Sequence, residues 1–263
     1  MKIAVVNTKG GASKSTVSFQ VASTYFLEKN LEVKLIEFDD ENKDSEHFEK
    51  SKIISEQIEV GTGDGLNDML RTRLLNNDNL VLDIGGNKTT TLMINALSAT
   101  RMHRKIDLFI IPMSGGSQDV INAFKTHKMI LAMNENAKVI FALSRVRNLK
   151  RLSFQYKDFF SSDISLIYKH FILQDSDVID LSRNEKKSVY EIALDAEYKK
   201  KLDKLFDKSM DDNDMIQSAR LSTLLEIIDE ASIYYKTNLK VAYALIDEVT
   251  AKDIVAEEKK EEK

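Results

Sequence analysis

Lys9-Gly10-Gly11-Ala12-Ser13-Lys14-Ser15-Thr16 is the stretch on which the reading of this chain turns. The apolar run Ile3-Ala4-Val5-Val6 precedes it, and Val17, Val21, Tyr25 and Phe26 follow at helical spacing. Strand, glycine turn and helix in that order are the setting of a phosphate-binding loop. Glycines let the backbone curl so that successive N–H groups converge, and the helix start adds partial positive charge. Lys14 can then reach the outer phosphates of a nucleotide, and the Ser15 hydroxyl can ligate Mg²⁺. The strict G-x-x-x-x-G-K-S/T pattern is not met, because its glycine positions hold Thr8 and Ser13. The loop reads K-G-G-x-x-K-S-T instead, with an additional lysine, Lys9, at its start.

Working outward, Val33–Phe38 reads as a second strand that ends among Glu37, Asp39, Asp40 and Glu41. Carboxylates past the C-terminal end of a strand stand where ligand chemistry sits in open α/β sheets. Leu80–Gly86 holds a third strand, an apolar run ending in Asp83, a carboxylate placed to hold the hydration shell of Mg²⁺. Gly85-Gly86 behind it permits a loop to approach a terminal phosphate. Further strands are expected at Leu108–Pro112, Ala137–Leu143 and Ile164–Tyr168. Helices are expected at Ser15–Leu27, Leu66–Leu75 and Gln118–Met133. The polar stretch Asp44–Ile58 reads as a helix or a mobile insertion, and Gly61–Gly65 as a turn. This alternation predicts an α/β fold: a doubly wound, mostly parallel sheet with helices on both faces and a helical C-terminal extension.

Composition narrows the function classes. The 263 residues are 43% hydrophobic and 30% charged, which suits one large α/β domain. There are no cysteines, which excludes disulfides, thiolate metal sites and catalytic thiols and argues against iron–sulfur clusters, whose ligands are cysteines. The four histidines lack metal-ligand spacing. No apolar run is long enough to span a bilayer, the first strand leaves no room for a signal peptide, and a cytoplasmic protein is expected. The net charge of −4 is unevenly spread. Arg101 to His170 holds 12 Lys+Arg against 5 Asp+Glu, a net of +7, and the remainder holds 26 against 37, a net of −11. A basic segment in an acidic chain marks either a face that meets polyanions or unrelated solvated side chains.

With Lys9 and Lys14 flanking Gly10-Gly11, the loop resembles the deviant Walker A loop of the ParA/MinD superfamily of P-loop ATPases, and Lys9 matches that family's signature lysine. Ser13 departs from the family's commoner glycine. The acidic strand end resembles the family's D-x-D pattern, with Glu37 at the first position and Asp39 at the second, the water-positioning carboxylate. Asp40-Glu41 departs from the Pro-Gln that ParA proteins often carry next. The resemblance covers roughly residues 1–190 and implies ATP and Mg²⁺ as cofactors. Lys9, Gly10, Gly11, Ala12, Ser13, Lys14, Ser15 and Thr16 would hold the nucleotide, Ser15 and Asp83 the metal, and Lys9, Lys14 and Asp39 would carry catalysis. It also implies a homodimer formed on ATP binding, with Lys9 reaching the partner's phosphates.

A ParA-like protein would bind non-specific DNA and be stimulated by a ParB-like adaptor, to segregate plasmid, chromosome or other cargo in association with the nucleoid. Arg145, Arg147, Lys150 and Arg151 are the candidate DNA contacts. The alternative is a MinD-like spatial regulator acting through protein partners; an ATP-gated dimer with negligible hydrolysis also stays open. MinD-type proteins end in a basic amphipathic membrane helix. The final Glu257–Lys263 stretch lacks large apolar residues beside its lysines, so no membrane contact is expected. The expected organisation is an ATPase core over 1–194, helices over 195–256 packed on the core or a dimer partner, and a charged, disordered tail over 257–263.

Overall fold

The computed structural model describes residues 1–38, 48–60 and 64–251. Seven strands form one sheet: β1 (Lys2–Val6), β2 (Lys34–Phe38), β3 (Ile54–Gln57), β4 (Leu80–Ile84), β5 (Leu108–Met113), β6 (Val139–Val146) and β7 (His170–Gln174). Their order is β3-β2-β4-β1-β5-β6-β7, and every neighbouring pair is parallel. β1, β4 and β5 are buried along their whole length, as strands covered on both faces must be. The edge strands β3 and β7 alternate in exposure instead.

The two faces carry separate cores. Ile3, Val5, Leu35 and Val81 meet α1, which starts as Lys14–Val17, passes through a π-helical stretch at Ser18–Ser23 and ends as Thr24–Glu28. Ala4, Val6, Ile36 and Leu82 meet α2 (Asp64–Leu75), α3 (Asn87–Ala99) and α4 (Ser117–Met133). Three single-turn helices lie between Leu152 and Ile167. After β7 come α5 (Asp177–Glu185), α6 (Val189–Leu194), α7 (Ala196–Asp211), α8 (Met215–Tyr234, with a π-helical continuation Tyr235–Leu239) and α9 (Lys240–Thr250). Leu202, Leu221, Ile228, Tyr243 and Ile246 bring α7, α8 and α9 into the α1 core.

Three expectations from sequence are corrected. Ile164–Ile167 is a helical turn with Leu166 and Ile167 exposed, and the last strand is His170–Gln174. Of the stretch 44–58, residues 44–47 lie outside the described residues, and the rest holds strand β3, paired from Ile54 to Gln57 with Lys34 to Glu37. β6 continues past Leu143 to Val146, with an irregularity in its pairing to β7.

Candidate nucleotide site

The phosphate loop leaves the C-terminal end of β1, the strand between β4 and β5. Its stem is pinned from several sides. Asn7 Nδ2 donates to the Pro112 carbonyl at 2.6 Å, and Asn7 Oδ1 accepts from the Lys9 N–H at 2.9 Å. The Thr8 N–H donates to Thr126 Oγ1 of α4 at 3.0 Å. Thr90 Oγ1 in α3 sits 2.6 Å from the Gly85 carbonyl and 3.1 Å from that of Asn7, tying the end of β4 to the loop.

Within the loop, Gly11 has φ +73° and Ser13 has φ +64°. Both residues are in the left-handed region, which favours glycine at each. Ser13 is also the N-cap of α1, but its side chain makes no cap hydrogen bond, and its buried Oγ has no hydrogen-bond partner among the described residues. Uncapped first-turn N–H groups of this kind are the donors a phosphate accepts from. Lys14 is buried and arches back so that Nζ donates to the Lys9 carbonyl at 3.1 Å. Gly86 closes the other side: a Cβ there would lie 3.0 Å from the Gly10 nitrogen.

Lys9 Nζ is ion-paired to Asp119 Oδ1 in the first turn of α4. The lysine side chain is 37% exposed and the carboxylate 9%. Sequence reading missed Asp119; its signal was an acidic residue two positions into a helix that follows a strand and the pair Gly115-Gly116.

Glu37 and Asp83 are register partners across β2 and β4, and Asp83 is also the partner of Val5. Because side chains alternate, both continue the rows Leu35 and Val81 start, on the α1 side of the sheet. Two buried carboxylates therefore stand on the face where α1 begins with Lys14-Ser15-Thr16. A hydroxyl and a carboxylate are hard oxygen donors, the type Mg²⁺ takes alongside phosphates and water. Among the described residues no group of three or more His, Cys, Asp or Glu could by itself cage a metal. Asp39, Asp40 and Glu41 lie outside the described residues.

Beside the loop a cleft of about 370 Å³ is lined by Ser13, Thr16, Ser144, Arg145, Arg147 and Arg183, among others. Arg145 and Arg147 thus face the nucleotide side of the sheet's carboxyl edge, whereas Lys150 and Arg151 are exposed in the following helical turn. Arg145 has φ +58°. Its carbonyl accepts from Gln155 Nε2 at 2.8 Å, and the buried Tyr156 hydroxyl donates to the Ser144 carbonyl. Burial pushes the Tyr156 phenol up, so it stays a donor. Arg183 of α5, 3.1 Å from Asp180, stands beside Ser15 and Thr16 as well.

No protein-family model matches the chain, and no curated protein matches it by sequence. Solved structures do match. Apo McdA from Cyanthece superposes with a TM-score of 0.56 at 13% identity, over 73% of this chain and 92% of that one. A Borrelia burgdorferi B31 protein assigned to plasmid partition and bound to AMPPNP gives 0.50 at 14% identity, over 70% and 88%. The chain therefore has the ParA/MinD-type fold.

Proposed function

We propose that this chain is a Mg²⁺-dependent ATPase of the positioning or partition type, which dimerises on ATP, binds DNA without sequence preference and hydrolyses ATP when an adaptor protein stimulates it. The observation that carries this reading is the two-lysine loop. Lys14 is folded over the loop, and Lys9 is held at its mouth by Asp119. Lys14 binds the outer phosphates. The Ser15 hydroxyl and Asp83 would hold Mg²⁺, which would supply charge neutralisation for phosphoryl transfer. Asp39 orients the attacking water. Lys9 leaves Asp119 for the phosphates of a second copy, so that dimerisation and nucleotide state become one event. The cleft beside Ser13 and Thr16 takes the base and sugar, its 370 Å³ falling within the usual range of ligand pockets. The AMPPNP bound by the Borrelia protein is in keeping with a nucleotide there.

The deciding experiment is equilibrium binding of ATP with Mg²⁺, read together with the oligomeric state. Lys14→Ala should abolish both nucleotide binding and the dimer. Retained tight binding overturns the loop assignment. Asp39→Ala should bind ATP with wild-type affinity and lose turnover. For the partner, an ATP-dependent, salt-sensitive gel shift with random-sequence duplex supports DNA; its absence moves the assignment to a MinD-like regulator acting through proteins.

A further inference from the structure

We propose that the outward side of α3, the turn that follows it and α4 form the surface that meets the DNA duplex. The assignment rests on the DNA-binding reading above and says where that contact is made. Charge divides the molecule by face. From Asn87 to Met133 there are 6 Lys+Arg and 2 Asp+Glu, a net of +4. From Asp175 to Thr250, on the opposite face, there are 11 and 17, a net of −6.

The state of the charges differs as well. On the α1 side, Lys29, Arg183, Lys186, Lys187, Lys199 and Lys240 are each ion-paired, and Lys200, Lys201, Lys204, Lys208, Arg220 and Lys236, which form no ion pair among the described residues, stand in a stretch that carries 17 carboxylates. On the α3–α4 side, Lys88, Arg101, Arg104, Lys105, Lys125 and Lys128 are all exposed, and none pairs with a carboxylate among the described residues. The two acids of that stretch are already engaged: Asp119 holds Lys9, and Asp107 Oδ2 accepts from the Lys2 N–H at 2.6 Å. The positive field of this face is therefore uncompensated, which is the footprint of phosphate binding.

The charges are grouped. Arg101, Arg104 and Lys105 share one turn, shaped by the left-handed Arg101 and packed against α2 and α3. Lys125 and Lys128 are one helical turn apart on the outward side of α4, which packs beside α3. Both helices begin at the nucleotide loops. α3 follows Gly86, and α4 carries the partner of Lys9. A contact on this face would thus respond to the nucleotide. Arg145 and Arg147 line the nucleotide cleft and are assigned no duplex contact.

The test measures the salt dependence of binding to a random-sequence duplex with ATP and Mg²⁺ present. The proteins are wild type, Lys125→Gln/Lys128→Gln, Arg104→Gln/Lys105→Gln, and a control on the opposite face, Lys200→Gln/Lys201→Gln. Affinity for a fluorescent ATP analogue reports that each variant is folded. Each front-face pair should lower the slope of log K against log salt by about 2, with a weaker shift at every salt concentration. The control should match wild type. Front-face pairs that match wild type while wild type binds duplex overturn the surface and leave the DNA reading standing. No wild-type shift in any salt removes the DNA reading itself. Binding of wild type to anionic phosphatidylserine vesicles but not to duplex overturns the proposal in favour of a membrane surface.

Discussion

Ser13 is held at φ +64° with a buried hydroxyl that has no hydrogen-bond partner among the described residues, at the position where the resembled loop more commonly has glycine. The left-handed conformation costs a β-carbon-bearing residue about 1–2 kcal/mol, against about 0.5–1 kcal/mol of extra chain entropy lost by glycine. Ser13→Gly should therefore stabilise the fold by about 0.5–1 kcal/mol in denaturant titration without weakening ATP binding; destabilisation would show that the hydroxyl is engaged after all. Gly86 has the opposite constraint, because a Cβ would meet Gly10 backbone at 3.0 Å. Gly86→Ala forces the loop to move and should weaken ATP binding about tenfold or more, since overpacking costs about 1–3 kcal/mol. Asp119→Asn removes the carboxylate that competes for Lys9 and should lower the ATP concentration needed for dimers. A higher requirement would place Asp119 in the dimer contact. The sequence displayed Lys9 and Lys14 plainly, because their role is written in spacing. Asp119 and Arg183 come from α4 and α5, and only the folded sheet brings them to the loop.

Elements show which parts of the fold were legible. The buried strands β1, β4 and β5 are dominated by apolar residues, interrupted only by Lys2 at the start of β1 and Asp83 near the end of β4, and could be read directly. β3 is an edge strand with alternating exposure inside a charged stretch, so local composition concealed it. α3 carries Thr89-Thr90-Thr91 just after its first two residues, β-branched residues of low helix propensity. Its helix is secured by Met93 and Leu97 in the core and by Thr90 bridging two carbonyls. The boundary of α6 is fixed by a capping box, with Ser188 and Glu191 exchanging hydrogen bonds. Glu191 also accepts from Ser51 Oγ and the Lys52 N–H, both at 2.7 Å. Ser188→Ala should cost about 1 kcal/mol. Glu191→Ala should cost more, because it also releases the approach to β3; equal losses in thermal melts would show that the Ser51 and Lys52 bonds add nothing.

At the scale of the whole molecule, pH should act through one buried imidazole, His127, and one half-buried one, His170. Burial lowers the pKa of both His127 and His170 below the ordinary value of about 6.5. His127 lies against Tyr168 and Phe141, with ring centroids 4.3 and 5.6 Å away, and Nε2 has no partner among the described residues. Below about pH 6.5 the unfolded chain takes up protons that the folded chain refuses, so stability falls as pH falls and is retained above that value. His127→Gln/His170→Gln should flatten this slope in urea titrations at pH 5 to 7 (a range of about 2 units around the unperturbed value); an unchanged slope would assign it to carboxylates. The doubly wound architecture was readable from the alternation of strands and helices, and the structure places α7–α9 on the α1 face.

The π-helical stretch Ser18–Ser23 divides α1 between two sets of neighbours. Its first turn presents Lys14 and Ser15 to the nucleotide side, and its last presents Tyr25 and Phe26 to the C-terminal helices, with the Tyr25 hydroxyl 2.7 Å from Asp247. Each residue of an α-helix turns the chain by about 100°. The wider winding is thus a phase correction between two surfaces that a regular helix would leave out of step. Substitutions here would be tolerated far better than changes in length. Deleting one residue from Ser18–Ser23 would rotate one end by roughly a quarter turn, so that either the phosphate loop or the C-terminal packing keeps its alignment, but not both.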